Sequence, residues 1–102
     1  MTPFIETYRD ALADLCRRHH VRSLFVFGSA AREDFRAEHS DVDLLVEFEP
    51  LPEGAYANAY FGLREALETL LGREVDLVVE SALQNPYVRA DVERTRDLLY
   101  AA

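Results

Sequence analysis

The sequence predicts an α/β fold, a small mixed sheet with helices packed on it, in the order α-β-(turn)-β-α-β-α. Apolar residues at helical spacing alternate along the chain with short apolar runs that are typical of buried strands. Gly28, Pro50 and Gly72 follow three of these segments, as expected where helices and strands end. A length of 102 residues suits one domain with one core, so residues 1–102 are predicted to form a single domain.

The first helix is predicted over residues 3–19. Thr2 and Pro3 are typical of an N-cap and a first helical position, and apolar side chains then recur at helical spacing. Cationic residues end the segment, where the helix dipole favours positive charge. Cys16 is the one cysteine of the chain, and we expect it to lie on this helix and to pack into the protein core.

Two strands are predicted next, over residues 23–27 and 41–48, with a polar segment between them. Gly28 ends the first strand, and Pro50 follows the second because it cannot continue a ladder. The two strands can pair antiparallel.

The longest helix is predicted to begin near Tyr56 and to stop at Gly72. A third strand follows over residues 74–80. Asn85 and Pro86 are typical of the start of a last helix, which is predicted to carry one apolar side formed by Val88, Val92, Thr95 and Leu99.

Composition excludes several classes of protein. Hydrophobic residues make up 49% and charged residues 29%, which is ordinary for a globular domain. No apolar run reaches the length of a membrane span and no secretory signal is visible, so we expect a cytoplasmic protein without membrane contact. A net charge of −8 disfavours direct nucleic-acid binding and leaves docking onto a basic protein, or holding divalent cations, as acidic-protein functions.

Gly28 and Ser29 directly follow the first predicted strand. Glycine lets the backbone approach a ligand closely, and a helical turn after it would direct N–H groups at an anion such as phosphate. A plain turn would carry the same pair of residues, so this feature alone does not identify a site.

Aspartates provide the second feature. Asp41 and Asp43 are two residues apart, so in a strand both carboxylates project from one face. Asp76 lies within a run, VDLVV, that matches the VDLLV around Asp43. Because a helix separates these strands, a parallel crossover can bring both strand starts to one edge of the sheet. Antiparallel pairing of the first two strands would bring Gly28 to the same edge.

Three carboxylates beside a phosphate-binding turn are what phosphoryl chemistry on a nucleotide requires. Two divalent ions can neutralise the phosphate charge and stabilise the attacking and leaving oxygens. Asp41 and Asp43 can bridge two such ions, and Asp76 can complete the site that holds the attacking hydroxyl.

The chain resembles the minimal nucleotidyltransferase (MNT) family of the DNA polymerase β-like superfamily. The resemblance runs from residue 22 to the end of the chain, and the segments that carry it are residues 27–32, 40–48, 72–78 and 85–86. It implies the polymerase β-like fold and Mg²⁺-dependent nucleotidyl transfer from ATP, with two ions expected. By this resemblance Gly28, Ser29 and Arg32 would contact the nucleotide, and the metal ligands and catalytic residues would be Asp41, Asp43 and Asp76.

Members of this size are commonly MntA-type antitoxins. The resemblance therefore implies a HEPN-domain (HepT-like) toxin as partner in a hetero-oligomer, with AMP transferred onto a tyrosine of that toxin. Two departures from the family pattern bear on the nucleotide contacts. The loop over residues 30–40 is one residue longer than usual, and Glu33 stands where a glycine often follows the arginine, which leaves the role of Arg32 open.

Two other functions remain possible at this stage. The domain could neutralise a toxin by docking alone, although three intact aspartates would then be a liability without a metal. It could also modify a small molecule such as an antibiotic, although family members with that role usually carry an additional helical domain.

Overall fold

The computed structural model describes residues 3–31 and 41–102, apart from the side chains of Ser29 and Ala30. A four-stranded sheet lies at its centre, with the strands in the order β3-β2-β1-β4. The strands are β1 (Val21–Phe27), β2 (Val42–Phe48), β3 (Val75–Val79) and β4 (Asp97–Ala101). The helices are α1 (Pro3–Thr7), α2 (Arg9–Arg18), α3 (Tyr56–Leu71) and α4 (Pro86–Thr95). Short 3₁₀ turns cover Gly28–Ala31 and Glu80–Ala82.

The sheet is mixed, as predicted. β1 pairs antiparallel with β2, and β2 pairs parallel with β3 through the α3 crossover. The ends of β1 and the starts of β2 and β3 therefore meet at one edge of the sheet. This is the edge at which the sequence places its candidate site.

Helices cover both faces of the sheet, which explains the continuous apolar runs of β1 and β2. One face packs against α1, α2 and α3. The core between them includes the fully buried side chains of Leu12, Leu44 and Leu63. A smaller cluster on the opposite face packs Phe27 and Leu45 against Leu83 and Val92 of the α4 region.

Cys16 is buried in the larger core, as predicted. Burial raises the pKa of its thiol to about 12, so the thiol stays protonated and unreactive at neutral pH.

The N-terminal segment forms two helices where the sequence predicts one over residues 3–19. The break lies at Tyr8, whose N–H bonds the Ile5 carbonyl only three residues back. Thr7 contributes to it because its hydroxyl donates to the Pro3 carbonyl, four residues back, a contact that bends helices.

The C-terminal prediction is partly wrong. Asn85 caps α4 as expected, its side-chain oxygen accepting from the N–H groups of Tyr87 and Val88. However, the helix ends at Thr95, and Leu99 belongs to β4 rather than to the helical side that it was predicted to share with Val88 and Val92. Pairing with β1 determines the conformation here, since a helical spacing of apolar residues does not exclude a buried strand.

Two side chains of α3 bind the outer edge of β3. The Tyr60 hydroxyl donates to the Leu77 carbonyl at 2.6 Å, and Glu68 Oε2 accepts from the Val75 N–H at 3.0 Å. These bonds satisfy backbone groups that an edge strand would otherwise leave open to another chain. They also fix the start of β3 directly beside Asp76.

A search of residues 3–31 and 41–102 finds no helix with the length and apolar character that crossing a bilayer demands.

The adjacent leucines of β4 test the C-terminal strand. Leu99 is 5% exposed in the core, whereas Leu98 is 46% exposed. We expect Leu99→Ala to lower the free energy of unfolding by about 2–5 kcal/mol, because it leaves a cavity, and Leu98→Ala by less than about 1 kcal/mol. Urea denaturation of both variants measures this difference, and equal losses would contradict the strand assignment.

Candidate active site

Asp43 and Asp76 are direct neighbours on adjacent strands. Asp43 of β2 and Asp76 of β3 are register partners in the parallel pair. Neighbouring strands lie about 4.8 Å apart, and register partners project from the same face. The predicted convergence of these two aspartates on one edge of the sheet is therefore present in the fold.

The glycine turn lies on the other side of Asp43. Phe27, the last residue of β1, is the antiparallel register partner of Asp43, and Gly28 follows it. Gly28 has a φ of +67°, and a Cβ placed on it would lie 2.6 Å from Asp43 Oδ2. Only glycine fits here without displacing that carboxylate, both for its backbone conformation and for the space available.

Thr95 holds the glycine turn from the side of α4. The Gly28 N–H donates to Thr95 Oγ1 at 2.9 Å, and the Thr95 hydroxyl donates to the Asp91 carbonyl at 2.8 Å. The Gly28 N–H is thus already used within the protein. Gly28 would therefore contribute to a nucleotide site by letting its backbone come close to the ligand. The N–H groups at the start of a 3₁₀ turn have no partners inside the turn and are the ones that could bind a phosphate.

A cleft lies at this edge of the sheet, which we call the carboxylate cleft. It is open, has a volume of about 240 Å³, and is lined by Asp41, Asp43, Arg64, Glu74, Val75 and Asp76. Among the described residues, four carboxylates thus line the cleft with one guanidinium. Arg64 is also shared with Glu68, whose Oε2 lies 3.8 Å from the arginine Nε.

The donor chemistry of the cleft fits a hard divalent cation. Carboxylate oxygens are the ligands that Mg²⁺ prefers, and crowded carboxylates repel one another unless a cation lies between them. Within the described ranges, no three His, Cys, Asp or Glu side chains are grouped to hold a metal ion as they stand.

The structure brings together four of the six predicted site residues: Gly28, Asp41, Asp43 and Asp76. Ser29 is the second residue of the Gly28–Ala31 turn. Arg32 lies outside the described residues, as do Glu33 and residues 34–40.

Sequence reasoning missed three residues at this edge, Arg64, Glu74 and Thr95. Glu74 could have been found, because it lies two residues before Asp76 and residues two apart in a strand point to the same face. Arg64 and Thr95 give no comparable signal, since each reaches the site from a helix that is distant in sequence.

A larger cavity of about 580 Å³ lies elsewhere, lined by residues that include His19, His20, Pro50 and Asn58. No carboxylate is found among the described residues that line it. Burial and the neighbouring Arg18 and His20 lower the pKa of His19, which keeps that imidazole largely neutral at pH 7. The cavity therefore lacks the anionic donors that define the carboxylate cleft.

Comparison with known proteins agrees with this geometry. A family model described as a nucleotidyltransferase domain matches residues 8–99. Protein adenylyltransferase MntA of Thermococcus cleftensis is 44% identical over 72 residues, which are 71% of this chain and 69% of that protein.

Two solved structures share the fold. One, named provisionally as a minimal nucleotidyltransferase, is 44% identical with a TM-score of 0.72, over 91% of this chain and 90% of that one. The other is the complex of tri-AMPylated Shewanella oneidensis HEPN toxin with MNT antitoxin, at 18% identity and a TM-score of 0.65, over 95% of this chain and 72% of that one. The predicted resemblance and polymerase β-like fold are confirmed, and this chain belongs to the nucleotidyltransferase domain family of enzymes.

Proposed function

We propose that this protein transfers AMP from ATP to a tyrosine of a HEPN-domain toxin and so acts as the antitoxin of that toxin. The observation that carries the proposal is the placement of Asp43 between Asp76 and the Gly28 turn. Two findings support the acceptor. The similar MntA is named a protein adenylyltransferase, and a protein of the same fold is bound to a tri-AMPylated HEPN toxin.

Each part of the site has a role in this proposal. The Gly28–Ala31 turn, with Ser29 and Arg32, would hold the triphosphate, and Asp41, Asp43 and Asp76 would hold Mg²⁺, two ions being expected. When bound, Mg²⁺ supplies positive charge that offsets the charge of the phosphates and of the developing transition state. The donors are hard carboxylate oxygens at one edge of the sheet, which is the chemistry such an ion needs.

The transfer is a displacement at the α-phosphorus of ATP. A bond forms between the tyrosine oxygen and that phosphorus, the bond to the bridging oxygen breaks, and pyrophosphate leaves, while the hydroxyl proton would pass through the Asp76 carboxylate to solvent. Asp76 is exposed on an edge strand, so its carboxylate can accept the hydrogen bond of an incoming hydroxyl and orient it.

The net charge of −8 favours a basic partner through electrostatic steering. We propose that the toxin is held in a hetero-oligomer with this chain, so that its tyrosine segment reaches the open cleft. Docking alone and transfer to a small molecule are the competing outcomes of the experiments below.

The first prediction concerns nucleotide and metal binding. ATP with Mg²⁺ should raise the melting temperature of the wild type, by an amount equivalent to about 2.7 kcal/mol at a hundredfold excess over Kd. The variant Asp41→Asn/Asp43→Asn should lose that rise while remaining folded, because it lacks the carboxylates that hold the cation. Differential scanning fluorimetry measures both.

The matched control is Asp10→Asn/Asp14→Asn, which makes the same charge change at exposed positions of α2. It should keep the full ATP-dependent rise. Equal rises in the wild type and in the cleft variant would refute the proposed ligands.

A pair of glycines separates the shape of the turn from its contact with Asp43. Gly28 and Gly72 have φ values of +67° and +69°, but a Cβ on Gly72 meets no atom within 4 Å. Alanine at either position should cost about 1–2 kcal/mol of unfolding free energy, because the left-handed backbone is strained for alanine.

Only Gly28→Ala should weaken binding of ATP with Mg²⁺, because its methyl group displaces the flexible Asp43 carboxylate. Isothermal titration calorimetry of both variants, beside their melting curves, measures this. A Gly72→Ala variant that loses ATP binding equally would show that the contact with Asp43 is irrelevant.

The third prediction tests the acceptor. A HEPN toxin co-expressed with the wild type and then purified away should carry added AMP on a tyrosine and remain inactive, because the modification is covalent. Toxin co-expressed with Asp41→Asn/Asp43→Asn should be unmodified and active once separated. Intact-mass and peptide mass spectrometry detect the change, and unmodified toxin that regains activity after removal of the wild type would favour docking alone.

A further inference from the structure

We infer that Thr95 is a positioning residue for nucleotide binding: its hydroxyl fixes the Gly28–Ala31 turn in the orientation that receives the triphosphate. The inference rests on the proposed function, because it assumes that this turn binds the nucleotide. Thr95 is not among the residues that line the carboxylate cleft, and in this inference it does not touch the nucleotide.

The Thr95 hydroxyl both donates and accepts a hydrogen bond. Its hydrogen is donated to the Asp91 carbonyl at 2.8 Å, four residues back in α4. An oxygen lone pair is then directed away from the helix, where it accepts from the Gly28 N–H at 2.9 Å. Bonds linked in this way polarise one another, so the hydroxyl is a better acceptor for Gly28 than a freely rotating one would be.

Gly28 is held from two sides. Asp43 Oδ2 closes the space that a Cβ would occupy, and Thr95 fixes the N–H. With φ at +67°, this residue directs the chain out of β1 into the turn that leads to Ser29. A change at the Gly28 N–H therefore reorients the N–H groups that follow it.

The sequence around Thr95 keeps its hydroxyl in place. Thr95 is the last residue of α4, and β4 begins two residues later and pairs with β1. Arg96, between them, lies with its guanidinium 4.8 Å from the centre of the Phe25 ring on β1. The end of α4 is thus fixed to the strand that carries the glycine turn, a distance of 67 residues along the chain.

Thr7 offers a matched control. It is the last residue of α1, and its hydroxyl donates to the Pro3 carbonyl at 2.9 Å, also four residues back. Thr7→Val therefore removes the same helix-end bond as Thr95→Val, at a position that has no contact with the glycine turn.

The first measurement follows the Gly28 amide by ¹⁵N NMR. The chain has four glycines, so their amide signals are few and readily assigned. In Thr95→Val the Gly28 amide should exchange with solvent faster and shift relative to the wild type, whereas in Thr95→Ser and Thr7→Val it should keep its protection. An unchanged Gly28 amide in Thr95→Val would overturn the inference.

The second measurement is binding and turnover with ATP and Mg²⁺. Thr95→Val should weaken ATP binding about threefold to tenfold, the range expected for one hydrogen bond, and raise KM for ATP accordingly. Its kcat should change less than about twofold, because the carboxylates are intact, and Thr95→Ser should restore wild-type binding.

The outcomes are distinguishable. If wild-type protein binds no ATP, the proposed function fails and the inference fails with it. If the wild type and Thr95→Val bind ATP equally, or if Thr7→Val weakens binding as much as Thr95→Val, the inference fails while the proposed function stands.

Discussion

The register of β2 is the constraint on which the site depends. Asp43 pairs with Phe27 on one side and with Asp76 on the other, so one residue of the second strand aligns both neighbours. Val42, Leu44 and Val46 alternate with it and are fully buried against the helices. A slip of one residue would move Asp43 into that core and expose the apolar side chains, at a cost of several kcal/mol. Hydrophobic packing on one face of the sheet therefore positions the carboxylates on the other.

α3 supports the second aspartate through the backbone of β3. Its buried leucines pack on the sheet, while Tyr60 and Glu68 bond to the outer backbone groups of β3. The Glu68 bond is made to Val75, the residue before Asp76, so the strand is fixed just where its carboxylate must stay aligned with Asp43. An edge strand held in this way resists the mutual repulsion of like charges that the cleft imposes.

The fold and most of the site were predictable because they depend on local patterns. Alternation in the two similar runs, with a helix between them, sufficed to place Asp43 beside Asp76, and Gly28 marked the end of β1. The final strand and Thr95 were not predictable in this way. Leu99 fits a helical spacing as well as a strand, and only its pairing with β1 decides between them. The role of Thr95 comes from a hydrogen bond across 67 residues, which no local pattern records.

The order of these parts across the sheet gives the proposed reaction a direction. The glycine turn ends β1, Asp43 is half-buried at the start of β2, and Asp76 is exposed on the edge strand β3. A nucleotide on the turn would therefore have its α-phosphate near Asp43, and the acceptor would approach from the Asp76 side. The carboxylate cleft, as the described residues form it, is open rather than enclosed, which would suit a hydroxyl carried on a large partner. The described lining of the cleft offers a small acceptor little enclosing surface, so the proposed protein acceptor would make its remaining contacts outside the cleft.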